Sequence, residues 1–508
     1  MSTSTTIHKL INDSKIIPPD SLNPLSAEQI VYKIKALAFS CQDLLSYYQQ
    51  QYQQHNPRIN AIVATNFDEA RKRAQLADEA LANGEDWGPL HGLPMTIKDC
   101  YEVVSMPTTA GNPALKDYYP KRNADAVQKL IDAGAIIFGK TNVPFNAGDL
   151  QSYNDIYGTT NNPWDISRTP GGSSGGAAAA IVAGLTPIEL GSDLGGSIRT
   201  PCHYCGVFGH KPSHGIVSLK GHIPDAPGTL SQLDMGVAGP IAKTPGDLDL
   251  LLDILTAPNP SMKVGWKLEL SVSQKKALNE YRVLAWFDDP IAAIDNELRE
   301  QYQSLLETLK SQGVQVEEGA PDGLALTDVY IPYLKLLGGV IATFMPKKQR
   351  IVFTILAPVL ALIGRFIGFP KSFLNTLKGL SQSLQAWKKT NETRLQLRED
   401  LQSTFDTYDI ILMPIVPTVA IVHNQKSDVP LRKMTVNNEQ RSYTENFPWI
   451  SFATVLELPA TSAPIGISNE GLPISIQIVS NKFKDKETIQ FAKLLYELVG
   501  KIECPAYK

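Results

Sequence analysis

The sequence predicts an α/β protein, and two observations lead to that prediction. Stretches with helical periodicity alternate along the chain with short apolar runs of the length of buried strands. In addition, 43% of the residues are hydrophobic and 19% are charged, as in an ordinary globular protein that buries a large core. The length of 508 residues would by itself allow about three domains of roughly 150 residues each.

The N-terminal part begins with residues 1–25, whose Ser, Thr and Pro content predicts an irregular arm. Ser26 and a glutamine three residues later have the spacing of a capping box. Apolar residues then recur at helical intervals, so residues 27–53 are predicted to form one long amphipathic helix. Residues 67–83 form a second predicted helix, which leads to a strand-like segment that ends at Lys98.

Residues 123–133 are predicted to form a helix and residues 135–138 a buried strand. The overlapping residues 134–141 match the nucleotide-binding pattern GxxxxGK[ST] letter for letter. A phosphate-binding loop needs exposed N–H groups, whereas the apolar residues here would place those groups in a sheet. We therefore interpret the segment as a strand.

The C-terminal half contains further predicted strands at 281–287, 410–414 and 474–479. A helical stripe of leucines follows the first of them, and residues 486–499 are predicted to close the chain as a helix. These elements continue the alternation of helices and strands to the end of the chain.

Residues 168–199 contain two serines with glycine neighbours, and one short apolar segment of predicted helix separates them. Ser173 lies in the run GGSSGG, and Ser197 ends the run DLGGS. Successive small residues in a tight turn can point several N–H groups at one position, as an oxyanion in acyl transfer requires. Ser197 is therefore the candidate nucleophile, beside its own oxyanion hole.

A serine hydroxyl needs a base to take its proton at neutral pH. Lys98 stands at the end of an apolar strand-like segment, and a buried lysine can lose its charge. Four histidines lie near the second serine in sequence, and spacing assigns none of them to the site: His203, His210, His214 and His222.

Four segments of the chain resemble the amidase signature family: GLPMTIKD at 92–99, GKTNVP at 139–144, YGTTNNPWDISRTPGGSSGG at 157–176 and GSDLGGSIRTPCHYCGVFGHKP at 191–212. The spacing from the lysine to the two serines also agrees with that family. The resemblance implies that Lys98 is the base, Ser173 the bridging serine and Ser197 the nucleophile. It also implies that the Gly172–Ser173 peptide is cis.

The resemblance implies an amidase-signature fold, in which helices cover both faces of a central mixed β-sheet. It implies one amidase domain over residues 26–508, with a variable substrate-facing region at about 258–405. The implied oxyanion hole consists of N–H groups of Leu194, Gly195, Gly196 and Ser197. Three residues are expected to fix the two serine loops, with a structural ion pair and a turn hydroxyl as the alternative: Ser174, Asp193 and Arg199.

The expected activity is hydrolysis of a carboxylic amide through an acyl-enzyme on Ser197, and no metal or organic cofactor is implied. The acyl and amine parts of the substrate are not identified by the sequence. One alternative is the ammonia-releasing subunit of a glutamine-dependent amidotransferase. Another is a non-catalytic protein that binds membrane surfaces.

Residues 351–364 form an uncharged apolar run between cationic flanks. The run is shorter than the roughly 20 residues that a transmembrane helix needs. Two interpretations stay open: a buried helical lid over an apolar substrate channel, or an interfacial hairpin that is broken at Pro358 and makes peripheral membrane contact. Both predict a preference for apolar acyl or aryl amides.

Partners and location follow from composition. A net charge of −4 gives no electrostatic reason to expect nucleic acid. The five cysteines do not suggest a disulfide framework, and the single CxxC at 202–205 is a weak indication of a metal or redox site. The first 25 residues lack the apolar core of a secretory signal, so we expect a cytoplasmic protein, with peripheral membrane contact as an option. A homodimer is compatible with the sequence.

Overall fold

The computed structural model describes residues 17–18, 22–224, 226–258, 263–363, 371–426 and 429–507. Most of the predicted irregular arm at 1–25 lies outside these residues.

The helices of the described residues are α1 (Ala27–Lys35), α2 (Cys41–Ile59), α3 (Phe67–Ala82), α4 (Asp125–Asp132), α5 (Gly175–Val182), α6 (Arg199–Cys205), α7 (Pro245–Thr256), α8 (Asn296–Ser311), α9 (Leu326–Phe344), α10 (Lys347–Ile363), α11 (Lys371–Leu380), α12 (Leu384–Asp400), α13 (Gln402–Thr407), α14 (Pro448–Val455) and α15 (Asp485–Val499).

The strands of the described residues are β1 (Ile62–Thr65), β2 (Pro94–Lys98), β3 (Ile136–Thr141), β4 (Tyr153–Asn154), β5 (Gly158–Thr159), β6 (Ile188–Asp193), β7 (Phe208–Lys211), β8 (Val237–Ala242), β9 (Arg282–Ala285), β10 (Gln315–Glu318), β11 (Ile410–Met413), β12 (Lys433–Val436), β13 (Glu439–Ser442), β14 (Ala460–Ile467) and β15 (Pro473–Val479).

Eleven of these strands form one sheet in the order β1-β3-β2-β6-β8-β7-β14-β15-β11-β9-β10. The sheet is mixed, because β2 runs parallel to β3 and β6, whereas β14 and β15 form an antiparallel pair. Helices flank the sheet, and apolar side chains from both kinds of element form one large core. The predicted α/β class with a mixed sheet is confirmed.

The N-terminal helix differs from its prediction over 27–53, which is wrong in its middle. The capping box at Ser26 starts α1 as expected, but α1 ends at Lys35. A second capping box at Ser40 and Asp43 starts α2, and Leu37 between the helices has φ 59°. Since one apolar face continues across both helices, periodicity alone did not show the break.

Residues 139–141, which complete the nucleotide-binding pattern, lie inside β3, as the strand interpretation predicts. Lys140 is fully buried there and its Nζ lies 3.0 Å from Asp99 Oδ1. This lysine is therefore bound within the protein interior.

The sheet places the two candidate loops together. Strands β2 and β6 are parallel neighbours, so Lys98 at the end of β2 and Asp193 at the end of β6 lie at the same edge. Helix α5 begins directly after Ser173 and Ser174, and α6 begins two residues after Ser197. Clefts at the carboxyl ends of parallel strands are common binding sites in α/β proteins.

The variable region is mostly helical and packs beside this edge. Helices α9 and α11 approach each other so closely that a Cβ on Gly338 would lie 2.3 Å from Thr376 O. A Cβ on Gly379 would lie 2.2 Å from Lys335 O. Both positions therefore require glycine, and the two helices form a compact pair.

Helix α10 contains most of the apolar run at 351–364, and it corrects both interpretations of that run. The helix is continuous to Ile363, so no hairpin breaks the chain at position 358. The run is not a buried lid either: Ile355 is 66% exposed and Val359 is 52% exposed, although Ala357 packs against α11. No described helix is both long and apolar enough to cross a membrane.

Candidate active site

Lys98 lies at the centre of a small hydrogen-bond network. It is fully buried, and its Nζ lies 2.7 Å from Ser173 Oγ. The same Nζ lies 3.0 Å from Ser192 Oγ and 3.4 Å from Ser192 O. Burial lowers the pKa of Lys98 from 10.5 to about 8, as the sequence predicted, so a useful fraction of the amine is neutral near neutral pH.

The loop before α5 brings Ser173 to this lysine. The Gly172–Ser173 peptide is cis, as the family resemblance implied. The next residue joins the two serine loops, because the Ser174 N–H donates to Ser197 O at 3.1 Å. The Ser174 hydroxyl also donates to Ser192 O at 3.4 Å.

Ser197 lines the same cavity as Ser173 and is 8% exposed. No direct hydrogen bond joins the hydroxyls of these two fully described residues. Hydrogen bonds between catalytic groups are often long before substrate binds, so this spacing is compatible with the predicted pair of serines. The structure thus brings Lys98 and Ser173 into contact and places Ser197 beside them.

The glycine turn before Ser197 lies at the edge of the cavity. Gly196 has φ +90°, which favours glycine, and its N–H donates to Asp193 Oδ1 at 2.9 Å. Within the described residues, the N–H groups of Leu194, Gly195 and Ser197 have no protein acceptor. Of the four N–H groups predicted for an oxyanion hole, Gly196 is therefore already bound to a carboxylate, and three are free for a ligand.

Asp193 and Arg199 form a fully buried pair that holds this turn. Arg199 Nη2 donates to Asp193 Oδ1 at 2.9 Å, and Nε donates to Oδ2 at 3.1 Å. Burial opposes ionisation of Asp193, but the Arg199 guanidinium outweighs it and lowers the carboxyl pKa to about 2. Arg199 Nη1 also donates to Ile450 O, which ties the turn to α14.

Sequence reasoning missed two residues that the structure places at this site. Ser192 stands within the GSDLGGS motif and contacts Lys98. His222 Nε2 lies 2.9 Å from Ser192 Oγ. The other three candidate histidines contact other groups: His203 the carbonyls of Ser475 and Thr418, His210 Asp485, and His214 Glu457.

A cavity of about 380 Å³ opens beside the serines. Its far wall consists of apolar side chains from α9 and α11, among them Leu337, Ile341, Phe344, Phe373 and Leu380. Neither lysine nor arginine lines this cavity among the described residues, and α10 does not contribute to it. The volume is within the roughly 300–1,000 Å³ typical of small-molecule sites.

Tyr333 is a third cavity residue that the sequence did not indicate. Its hydroxyl is buried without a hydrogen-bond partner in the described structure and lies against the glycine turn, 3.2 Å from the position of a Cβ on Gly195. Its neighbour Tyr330 differs, because that hydroxyl donates to Thr444 O at 3.2 Å.

The site combines a buried lysine of lowered pKa, two serines at one cavity and a turn with N–H groups that have no protein acceptor in the described structure. Hydrolases that form an acyl-enzyme use such a set of groups. The sequence matches the Amidase family over residues 43–489, so the chain belongs to the amidase (amidase signature) family. It is an amide-hydrolysing enzyme.

Individual relatives extend this result. Fatty-acid amide hydrolase 2-A from Danio rerio is 30% identical over 95% of this chain and 90% of its own length. One subunit of the glutamyl-tRNA(Gln) amidotransferase from Alkaliphilus metalliredigens is also 30% identical, over 91% of this chain and 94% of its own length. A crystal structure of an amidase has a TM-score of 0.74 at 27% identity and covers 94% of this chain and 100% of its own.

Proposed function

We propose that the protein hydrolyses amides with apolar acyl or aryl groups through an acyl-enzyme on Ser197. Ser197 Oγ attacks the carbonyl carbon, its proton passes to Ser173, and the Ser173 proton passes to neutral Lys98. The 2.7 Å contact between Lys98 Nζ and Ser173 Oγ supports this order of transfer. The pKa of about 8 supports Lys98 as the base.

The same route in reverse delivers the proton to the leaving nitrogen. Protonated Lys98 returns its proton through Ser173, the carbon–nitrogen bond breaks, and the amine leaves neutral while the acyl group stays on Ser197. Water then attacks the ester, and its proton passes through Ser173 to Lys98. The same proton returns to Ser197 Oγ as the bond from the acyl carbon to that oxygen breaks, and the carboxylic acid is released. The N–H groups of Leu194, Gly195 and Ser197 are proposed to stabilise the oxyanion; loss of one such donor typically costs about 3–4 kcal/mol.

The apolar cavity wall is the main observation that supports amides with apolar acyl or aryl groups as substrates. Leucine, isoleucine and phenylalanine side chains from α9 and α11 line the space that extends from Ser197. Burial of apolar substrate surface there contributes about 25 cal/mol per Å². The amide of a long apolar acid fits this wall, in keeping with the similarity to a fatty-acid amide hydrolase.

The substrate proposal is tested with purified protein and a series of primary amides from acetamide to a long-chain acyl amide and an aryl amide. We expect kcat/KM to rise with apolar size over at least about two orders of magnitude. A preference for acetamide over every larger amide would contradict the proposal.

The ammonia-releasing role in an amidotransferase is the second candidate, favoured by the similarity to one subunit of the glutamyl-tRNA(Gln) enzyme. A protein in that role takes ammonia from glutamine, whose carboxylate and ammonium groups need charged partners. The lining residues of the described cavity include no cation, which favours the apolar amide. Ammonia release from glutamine, absent from simple apolar amides, would instead support the amidotransferase.

We propose further that the exposed face of α10 contacts an anionic lipid surface. Ile351, Ile355 and Val359 are 49%, 66% and 52% exposed. Lys347 and Lys348 at the start of the helix are exposed as well, and cations beside an apolar face suit the headgroups of anionic lipids. The opposite side of α10, at Ala357, packs against α11, and α11 in turn contributes Phe373 and Leu380 to the wall of the apolar cavity.

A further inference from the structure

We propose that His222 is a positioning residue, which acts through Ser192 to keep the lone pair of Lys98 directed at Ser173. The inference rests on the proposed function, in which Lys98 is the base, and it assigns a role to a histidine outside the Lys98, Ser173 and Ser197 set.

A continuous series of hydrogen-bond contacts connects His222 with Ser173. His222 Nε2 lies 2.9 Å from Ser192 Oγ, which lies 3.0 Å from Lys98 Nζ. Lys98 Nζ in turn lies 2.7 Å from Ser173 Oγ. His222 also lines the substrate cavity, so it stands between the cavity and the interior around the lysine.

Counting donors and acceptors assigns a direction to each hydrogen bond if Lys98 acts as the base. Neutral lysine has two N–H groups and one lone pair, and the lone pair must face the Ser173 proton for Lys98 to act as a base. The two N–H groups then donate to Ser192 O and Ser192 Oγ. Because Ser192 Oγ accepts from the lysine, its own proton is directed to another acceptor, and His222 Nε2 is at hydrogen-bond distance.

The arrangement also serves the protonated state. After proton transfer the lysine has three N–H donors, which match Ser173 Oγ, Ser192 Oγ and Ser192 O. Neither Ser192 nor His222 has to reorient between the two states. The network is therefore arranged before the reaction, as efficient proton transfer requires.

His222 must be neutral to accept this proton, and its surroundings favour that state. Burial, together with the nearby Lys98, lowers the pKa of His222 to about 3. The ring packs edge-on against Tyr101, with 4.9 Å between centroids. The titratable groups that face Lys98 are Cys100, Asp193 and Glu189, and their influence on its pKa is smaller than that of burial.

Without an acceptor at position 222, the Ser192 proton can turn towards the lone pair of Lys98. That hydrogen bond competes with Ser173 for the base and stabilises the unprotonated amine. The loss of His222 should therefore lower kcat while it moves the acid limb of the pH profile to lower pH.

The test compares His222→Phe with His222→Gln, whose side-chain oxygen can still accept from Ser192. We expect His222→Phe to lower kcat about 10- to 100-fold with KM changed less than about threefold, in the range of general acid–base effects. His222→Gln should recover most of the loss. Equal loss in both variants, each with a wild-type melting temperature, would overturn the inference.

A double-mutant cycle tests whether the effect passes through Ser192. In a Ser192→Ala background, His222→Phe should change kcat less than about twofold, because the intermediary is absent. The same fold-change in both backgrounds would contradict a role through Ser192.

Tyr101→Phe is the matched control, since the Tyr101 hydroxyl also lies near Ser192 but donates to Gly191 O at 2.7 Å. We expect kcat and the acid limb to stay near wild type in this variant. If Tyr101→Phe gave the loss and His222→Phe did not, the tyrosine would be the acceptor and the inference would be wrong. Failure of the proposed function is recognised separately, by turnover that survives Lys98→Ala.

Discussion

The loops that carry the serines differ from the helices of the variable region in the kind of contact that stabilises them. In the loops, buried polar groups are fixed by short hydrogen bonds and ion pairs, as between Asp193 and Arg199. In the helices, apolar side chains shape a cavity, and the close contact at Gly338 sets the distance between α9 and α11. The difference indicates that the reaction depends on the exact positions of a few polar atoms in the loops. Substrate selection depends instead on the shape of the apolar cavity wall. Changes in the two regions should therefore have different kinetic signatures.

The largest effect is expected at Lys98. Lys98→Ala and Lys98→Arg should each lower kcat/KM by at least about 10³-fold, because arginine keeps its charge and cannot act as a neutral base. Steady-state kinetics on one apolar amide measures both variants. Near-normal turnover of Lys98→Arg would make the lysine an electrostatic group.

Lys140 provides the matched comparison, because it is equally buried but paired with Asp99. Lys140→Met leaves that carboxylate without its cation and should destabilise the fold by about 3–5 kcal/mol. Lys98→Met should instead stabilise it at pH 7, since burial disfavours the charged lysine. Denaturant unfolding of the two variants checks the opposite signs.

The pH dependence of activity should follow Lys98. With a pKa of about 8, the neutral base is lost as pH falls, so kcat/KM should drop about tenfold per unit below pH 8. At pH 6 the expected loss is about 100-fold relative to the plateau. A flat profile from pH 6 to 9 would be inconsistent with Lys98 as the base.

A change in the variable region should affect only large substrates. Leu337→Trp narrows the apolar cavity and should lower kcat/KM for a long-chain amide about tenfold, a cost of about 1.4 kcal/mol. Acetamide turnover should be unchanged, since the serines lie outside this wall. An equal loss on both amides would show that the two regions are not separable.

The smallest effect on turnover is expected at the α10 surface. Ile355→Asp with Val359→Asp should reduce co-sedimentation with vesicles of phosphatidylglycerol and phosphatidylcholine several-fold, because two exposed apolar side chains become charged. Turnover of a small amide without lipid should stay within about twofold. A wild-type protein absent from anionic vesicle pellets would exclude the lipid contact.

The sequence predicted the parts of the site that are adjacent in short motifs. Lys98, Ser173 and Ser197 each stand in a local pattern of glycine or apolar residues, so their residue type and spacing were informative. The contact between His222 and Ser192 could not be found in this way. It joins a loop after β7 to the end of β6, and only the folded sheet brings the two together.

The fold was predictable to a similar degree. A strand with a continuous apolar run, such as β3, and a strand with alternating isoleucines, such as β15, were located from sequence to within a few residues. The break between α1 and α2 was missed because a local capping box at Ser40 overrides a continuous apolar face. The exposure of α10 was missed because an apolar run does not reveal whether another element covers it.

The most direct test of the acyl-enzyme mechanism is mass spectrometry of the protein after reaction with a fluorophosphonate. We expect one adduct on Ser197, strongly slowed in Lys98→Ala and Ser173→Ala and absent in Ser197→Ala. An adduct on Ser173 or Ser174 with Ser197 unmodified would contradict the mechanism and assign the nucleophile to the other loop.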